Sequence, residues 1–232
     1  MSDLLKVKVG GSSYLCKWDK SGLIYETDFS NLDLDTGIDT PLIGKTSTWT
    51  KSGTITTTTK TIDGVSYSCL YIQEGGRITM SQDLLNDFPD VFSVECTVYK
   101  DSYSGLAGGA SMFCVNVPEY NCWSGGRGIS IFPYFGSITQ TYNGFYHIHD
   151  GYYYADYYNH SNVNQIITGG VTVIKNQNVV KAYLAGKKGL VISVDPNNSP
   201  IIAFYADNYS GTKYYILNMK IYKGIDRFEQ MV

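Results

Sequence analysis

The sequence is short of charge, of histidine and of long hydrophobic runs, and each shortage excludes something. Charged residues make up 17% of the 232 positions and the formal net charge is −3, below the roughly 25% usual in soluble domains. That balance lacks the basic footprint that a phosphate backbone demands, so no nucleic-acid partner is expected. The only local basic clusters, Lys6 with Lys8 and Lys187 with Lys188, sit beside turns and read as solvated strand edges. No segment reaches the 18 or so apolar residues of a spanning helix, so no membrane partner is expected. The start "MSDLLKVKVGG" lacks the apolar run of a secretion signal, which points to synthesis in a cytoplasm. The five cysteines (Cys16, Cys69, Cys96, Cys114, Cys122) form no C-x-x-C pair and leave one over in any pairing. A disulfide framework is therefore not expected, and Cys69 and Cys96, inside apolar strand patterns, read as small hydrophobes.

What the sequence does have is period-two alternation, interrupted by Gly, Asn and Asp about every eight to twelve residues, the pattern of an all-β sandwich or barrel. "FSVECTVYK" sets Phe92, Val94, Cys96 and Val98 against Ser93, Glu95, Thr97 and Tyr99. "GTITTTTKTIDGVSYSCLYI" reads as two strands joined by Asp63-Gly64, a strong hairpin signal, with its threonine-rich half at an exposed edge. Helix is expected at one place only, "SQDLLNDFP", with Ser81 as N-cap and Pro89 as the stop. Two units follow: residues 1–21 as an N-terminal β-ribbon turning at Gly10-Gly11, and 22–232 as the sandwich. The ribbon reads as an extra edge of the main sheet or as a small attachment element.

Three segments resemble the laminin G-like branch of the concanavalin A-like lectin and glucanase sandwiches. "SCLYIQEGGRITMSQDLLNDFPDVFSVECTVYK" (Ser68–Lys100) is similar to that family's early strand, glycine turn, strand, helical turn and strand. "GGVTVIKNQNVVKAYLAGKKG" (Gly169–Gly189) resembles its central hairpin, although Ala185 stands where the turn Asn is usual. "YYILNMKIYKGIDRF" (Tyr214–Phe228) is similar to its closing strand, with Leu217, Met219 and Ile221 expected on one face and Asn218 and Lys220 on the other. The resemblance implies a two-sheet antiparallel jelly roll whose binding surface lies on or near a concave face. It covers about two thirds of the chain and speaks to fold rather than activity. The intervening segment, Tyr103–Asn164, is read as inserted loops and bent strands.

Some sandwiches of this kind hydrolyse glycosidic bonds, which takes two carboxylates held about 5–10 Å apart across the bond. The five glutamates (Glu26, Glu74, Glu95, Glu119, Glu229) include no closely spaced pair, and Glu95 alone is expected in a strand. The sequence is therefore read as non-enzymatic. All three histidines fall in "HIHDGYYYADYYNH", where His147, His149, Asp150 and His160 have weak transition-metal spacing. The family resemblance implies calcium, for which Asp150, Asp156, Asn159 and Asn162 offer oxygens without the frame of a dedicated loop. No cofactor is expected. Tyrosine combines a rigid apolar ring with a polar tip, a composition suited to recognition, and aromatic rings stack on sugars while Asn, Asp and His bond the hydroxyls. Tyr142, His147, His149, Asp150, Tyr153, Asp156, Tyr157 and Asn159 are the residues expected to contact a glycan or protein partner. The chain as a whole resembles accessory proteins of tailed bacteriophage virions. The expected role is a virion accessory or decoration protein displaying a lectin-like domain, localised to the virion, with other virion proteins and surface glycans as partners. It is expected to be a homo-oligomer or part of a larger assembly. The alternative is a soluble carbohydrate-binding module.

Overall fold

The computed structural model describes residues 4–9, 12–17, 22–81, 89–100, 109–115, 128–137, 140–149, 152–159, 165–174, 179–184, 187–193, 202–206 and 213–223. Side-chain surroundings are described for 22–81, 89–100, 166, 168–170, 202–206 and 213–223. The described strands form two large antiparallel sheets and a separate two-stranded ribbon, a jelly-roll sandwich of the concanavalin A-like kind with an N-terminal hairpin. The ribbon pairs β1 (Leu4–Val9) with β2 (Ser12–Lys17). It is a sheet of its own, not an edge of either large sheet. Its Gly10-Gly11 turn lies outside the described residues, as do 82–88 of the expected helix.

The first large sheet runs in the order β17 (Lys187–Ser193), β16 (Val179–Leu184), β15 (Gln165–Ile174), β10 (Val91–Lys100), β19 (Lys213–Lys223), β8 (Val65–Gln73) and β7 (Ile55–Ile62). Strand β3 (Leu23–Thr27) pairs with the C-terminal part of β19. The second sheet runs β14 (Tyr152–Asn159), β13 (Gln140–His149), β12 (Gly128–Ser137), β11 (Gly109–Val115), β18 (Ile202–Ala206), β9 (Arg77–Met80), β6 (Ser47–Ser52), β5 (Ile38–Asp39) and β4 (Leu32–Asp33). Strands β11 to β14 occupy much of the segment read from sequence as inserted loops and bent strands. Gly, Asn and Ser lower β-propensity there, but pairing with neighbouring strands decides strand formation more than intrinsic preference does.

The alternation of β10 is realised as expected. Phe92, Val94, Cys96 and Val98 enter the core between the sheets, and Leu70 and Ile72 of β8 join them. Each fully buried side chain of this kind contributes about 1.5–3 kcal/mol. From the second sheet Trp49 and Phe204 meet Phe29 in edge-on and stacked ring contacts, with centroids 5.8–6.3 Å apart. Phe29 holds a left-handed backbone (φ 62°), strained for a bulky residue. Burial of its ring and a hydrogen bond from its N–H to Thr27 Oγ1 (2.9 Å) keep it there. The Asp63-Gly64 turn has φ values of 48° and 81°, the double left-handed geometry of a primed hairpin turn. Cys69 and Cys96 are free and buried.

One expectation about β19 is corrected. Leu217 was grouped with Met219 and Ile221, but the ladder slips by one residue, with Thr97 opposite Asn218 and Val98 opposite Ile216. This β-bulge reverses the alternation. Tyr214, Ile216, Met219 and Ile221 all reach the main core, whereas Leu217 joins a second cluster with Ile62, Cys69 and Tyr99.

Candidate functional site

The bulge that displaces Leu217 also organises the outer face of the first sheet. Directly opposed residues of an antiparallel ladder share a face. The register therefore aligns Ile166, Tyr99, Tyr215, Tyr71 and Thr56 in one row across five strands, a span of roughly 20 Å at about 4.8 Å per strand. Tyr71 and Tyr215 stack at 4.6 Å with an interplanar angle of 19°, and Tyr99 tilts against Tyr215 at 6.1 Å. The Lys60 ammonium lies 4.8 Å from the Tyr215 ring centre and 5.6 Å from that of Tyr99. Such cation–π contacts contribute about 0.5–2 kcal/mol. Tyr99 is buried, while Tyr71 and Tyr215 are half-buried.

The next row is polar. Thr168, Thr97 and Asn218 stand side by side on β15, β10 and β19. The two threonine hydroxyls bond each other at 3.2 Å. Asn218 Oδ1 is shielded from water and has no hydrogen-bond partner. A shielded, unmatched carbonyl oxygen costs about 1–3 kcal/mol. Beyond it a third row places Gly170, Glu95, Lys220 and Glu26 in register. Lys220 Nζ bridges Glu26 Oε1 at 3.3 Å. Glu95 and Glu26 flank one lysine, so the nearest carboxylates are separated by a cation, an arrangement suited to holding hydroxyls. Nothing in sequence spacing joins Tyr71, Tyr99, Tyr215, Thr97, Asn218 and Thr168. The available signal was the outward half of each strand's alternation, and Glu95 was read correctly on that half.

The eight residues expected from sequence to contact a partner separate differently. Strands β13 and β14 form the edge hairpin of the second sheet, with Tyr142 opposite Asn159, Gly144 opposite Tyr157, Ile148 opposite Tyr153, and His147 opposite Tyr154. Tyr142, Tyr153, Tyr157 and Asn159 therefore share one face. His147, His149 and Asp156 share the other, which continues through Ile129 and Ile131 to Phe113 and the core residue Phe204. Asp150, His160 and Asn162 lie outside the described residues. Among the described residues no three His, Cys, Asp or Glu side chains gather within reach of one metal ion.

A third polar group is internal. Tyr25 donates its hydroxyl proton to Asp39 Oδ2 at 3.0 Å and lies 2.7 Å from Ser47 Oγ, which also accepts from Trp49 Nε1 at 2.9 Å. Asp39 is fully buried and its Oδ1 has no partner. Burial pushes the Asp39 carboxyl above its usual value of 3.8, and burial followed by the Asp39 charge raises the Tyr25 hydroxyl as well. This group ties β3, β5 and β6 together inside the sandwich, away from the outer rows.

No family model matches the sequence, and no curated protein sequence matches it. Solved structures do match in fold. One is botulinum neurotoxin type C, which enters cells through interaction with two ganglioside molecules; it is 14% identical with a TM-score of 0.53 over 91% of this chain and 52% of that one. The binding domain of botulinum neurotoxin DC in complex with rat synaptotagmin II is 13% identical, with a TM-score of 0.55 over 91% and 50%. The same domain in complex with SialylT is 13% identical, with a TM-score of 0.53 over 92% and 52%. The chain thus spans about half the length of the neurotoxin domains it matches. At these identities the likeness is one of fold.

Proposed function

We propose that this protein is a non-enzymatic, lectin-like module that binds glycan on the outer face of its first sheet. The observation that carries the reading is the half-buried Tyr71–Tyr215 stack, with Lys60 over Tyr215, one row from Thr97, Thr168 and Asn218. Sugar hydroxyls meet the half-buried Asn218 side chain, Thr97, Thr168 and Glu95, and the apolar side of the ring lies toward Tyr71 and Tyr215. Because the rings are already in place, little conformational entropy is lost on binding. Two of the fold matches, one described by its ganglioside interaction and one complexed with SialylT, support the choice of ligand class. The face Tyr142, Tyr153, Tyr157 and Asn159 of the edge hairpin is a second contact surface in this reading.

The test is a glycan array probed with the wild-type chain, Asn218→Leu, Tyr215→Ala, and the pair Tyr153→Ala with Tyr157→Ala. Asn218→Leu and Tyr215→Ala are expected to abolish the signal, and the hairpin pair to weaken it. Wild-type protein that recognises no glycan, or that binds unchanged after Asn218→Leu, sinks the assignment. Incubation with polysaccharide is expected to release no sugar, with Glu95 intact or as Glu95→Gln.

A second reading concerns where the module works. The ribbon β1–β2 is a sheet apart from the sandwich, and a lone two-stranded hairpin is only marginally stable in water. By register Leu5, Val7 and Val9 share one face with Tyr14 and Cys16, an apolar surface suited to a protein neighbour. This favours a subunit of a larger particle, a virion accessory or decoration protein anchored through its ribbon. Deleting residues 1–21 is expected to free the protein from its particle while leaving the sandwich folded. Retention of the truncated chain on the particle argues against the anchor.

A further inference from the structure

The four strands that end the two main strand orders are guarded unequally; β3, off that path, likewise has one ladder partner, β19. Strand β4 is two residues long. Strand β17 carries Lys187 and Lys188, and its ladder with β16 slips at Ala182/Tyr183. Strand β14 carries Asp156 near its middle. Strand β7 has little of this protection. It runs eight residues as ITTTTKTI, its pairing with β8 is unbroken from Ile55–Ile72 to Ile62–Val65, and β8 is its sole neighbour among the described strands. It contains no proline and one charge, Lys60, while Thr56, Thr57, Thr58, Thr59 and Thr61 are exposed. A regular, neutral, β-branched edge presents a row of backbone donors and acceptors to another strand.

We propose that β7 pairs antiparallel with β7 of a second copy of this chain, joining the two first sheets into one continuous sheet. The occupant follows from self-complementarity. A two-fold axis perpendicular to the sheet keeps each face on its own side, so opposed residues must have the same parity. Pairing centred on Thr58 sets Thr57 against Thr59 and Lys60 against Thr56. Centring on Thr59 sets Thr57 against Thr61 and Lys60 against Thr58. Neither register opposes like charges, which would destabilise a cross-strand pair. The contact is isologous and closes at two copies, because each copy uses its open edge. Thr56 ends the tyrosine row, so the two outer faces lie on the same side of the joined sheet. If those faces bind glycan, the dimer is bivalent and gains avidity without new contacts. The pairing itself does not depend on the glycan reading.

Sedimentation velocity over a concentration series tests it without any ligand. Wild-type protein should approach twice the 25.8 kDa chain mass as concentration rises. Thr57→Lys with Thr59→Lys sets like charges across the axis in either register and should sediment as a single chain with an unchanged melting temperature. Thr57→Glu with Thr59→Glu should do the same. An equal mixture of the two variants should regain the doubled mass, because lysine then faces glutamate. A wild-type chain that stays single throughout, variants that remain paired, or a mixture that fails to associate each overturns the proposal. Should either double variant lose its melting transition, Thr59→Lys and Thr59→Glu alone give the same readings for the Thr59-centred register, and Thr58→Lys with Thr58→Glu for the other.

Discussion

Tyrosine is used in two ways in this chain. In the edge hairpin β13–β14 the tyrosines are neighbours in sequence, and strand alternation divides them. Tyr153 and Tyr157 share a face with Tyr142, while Tyr152, Tyr154 and Tyr158 share the opposite face with His147 and His149. On the outer face of the first sheet, Tyr71, Tyr99 and Tyr215 are far apart in sequence, and ladder register brings them into one row. A dense run along one strand scatters across two surfaces. Single residues on adjacent strands, with no sequence signal in common, assemble into a platform. On a sheet, side chains become neighbours across strands, whereas neighbours along a strand alternate between its two faces.

Tyr25 sets the outer limit of this comparison, since its ring and hydroxyl are both internal. Tyr25→Ala should give the largest loss, about 3–5 kcal/mol, because it opens a cavity and strips a donor from Asp39; urea denaturation reads it directly. Tyr215→Ala should follow at about 1–2 kcal/mol from lost ring contacts, together with loss of glycan binding. Stability unchanged by Tyr215→Ala would show that the row is not packed as described.

Third is a pH effect confined to the internal tyrosine. Asp39 has a folded-state pKa above its usual 3.8, so its neutral form is the one that suits the fold. Its contribution is fully present below the unfolded value and is lost as pH rises through the folded one. Between those two values the wild type should lose stability relative to Asp39→Asn by at most about 1.4 kcal/mol per pH unit. Parallel stability curves for the two proteins across the acid range would contradict this. The smallest effect is expected for Tyr153→Ala with Tyr157→Ala, within about 0.5 kcal/mol, the range of surface substitutions. A loss of several kcal/mol would move that hairpin face into the packed interior and break the comparison.

Much of the fold was legible beforehand. Strand β10, the Asp63-Gly64 turn and the exposed threonine edge follow from alternation and turn chemistry, which act between near neighbours. The segment read as inserted loops and bent strands was less so, because pairing with neighbouring strands carried Gly-, Asn- and Ser-containing stretches into strands. The placement of Leu217 was misjudged for a related reason. A bulge is defined by the partner strand, and nothing in "YYILNMK" marks where the ladder slips.

The sequence by itself determined the all-β class, the inward residues of the regular strands and the neutral composition of β7, since each rests on period two or on local turn preference. Only the tertiary structure decided which outward residues become neighbours. It aligned Tyr71, Tyr99 and Tyr215, set the Thr97–Thr168 pair beside Asn218, and gave β7 a single neighbour, β8, among the described strands. The physical reason is that strand order and register are fixed by hydrogen bonds and packing between segments distant along the chain. A one-residue shift in either moves a side chain to the other face.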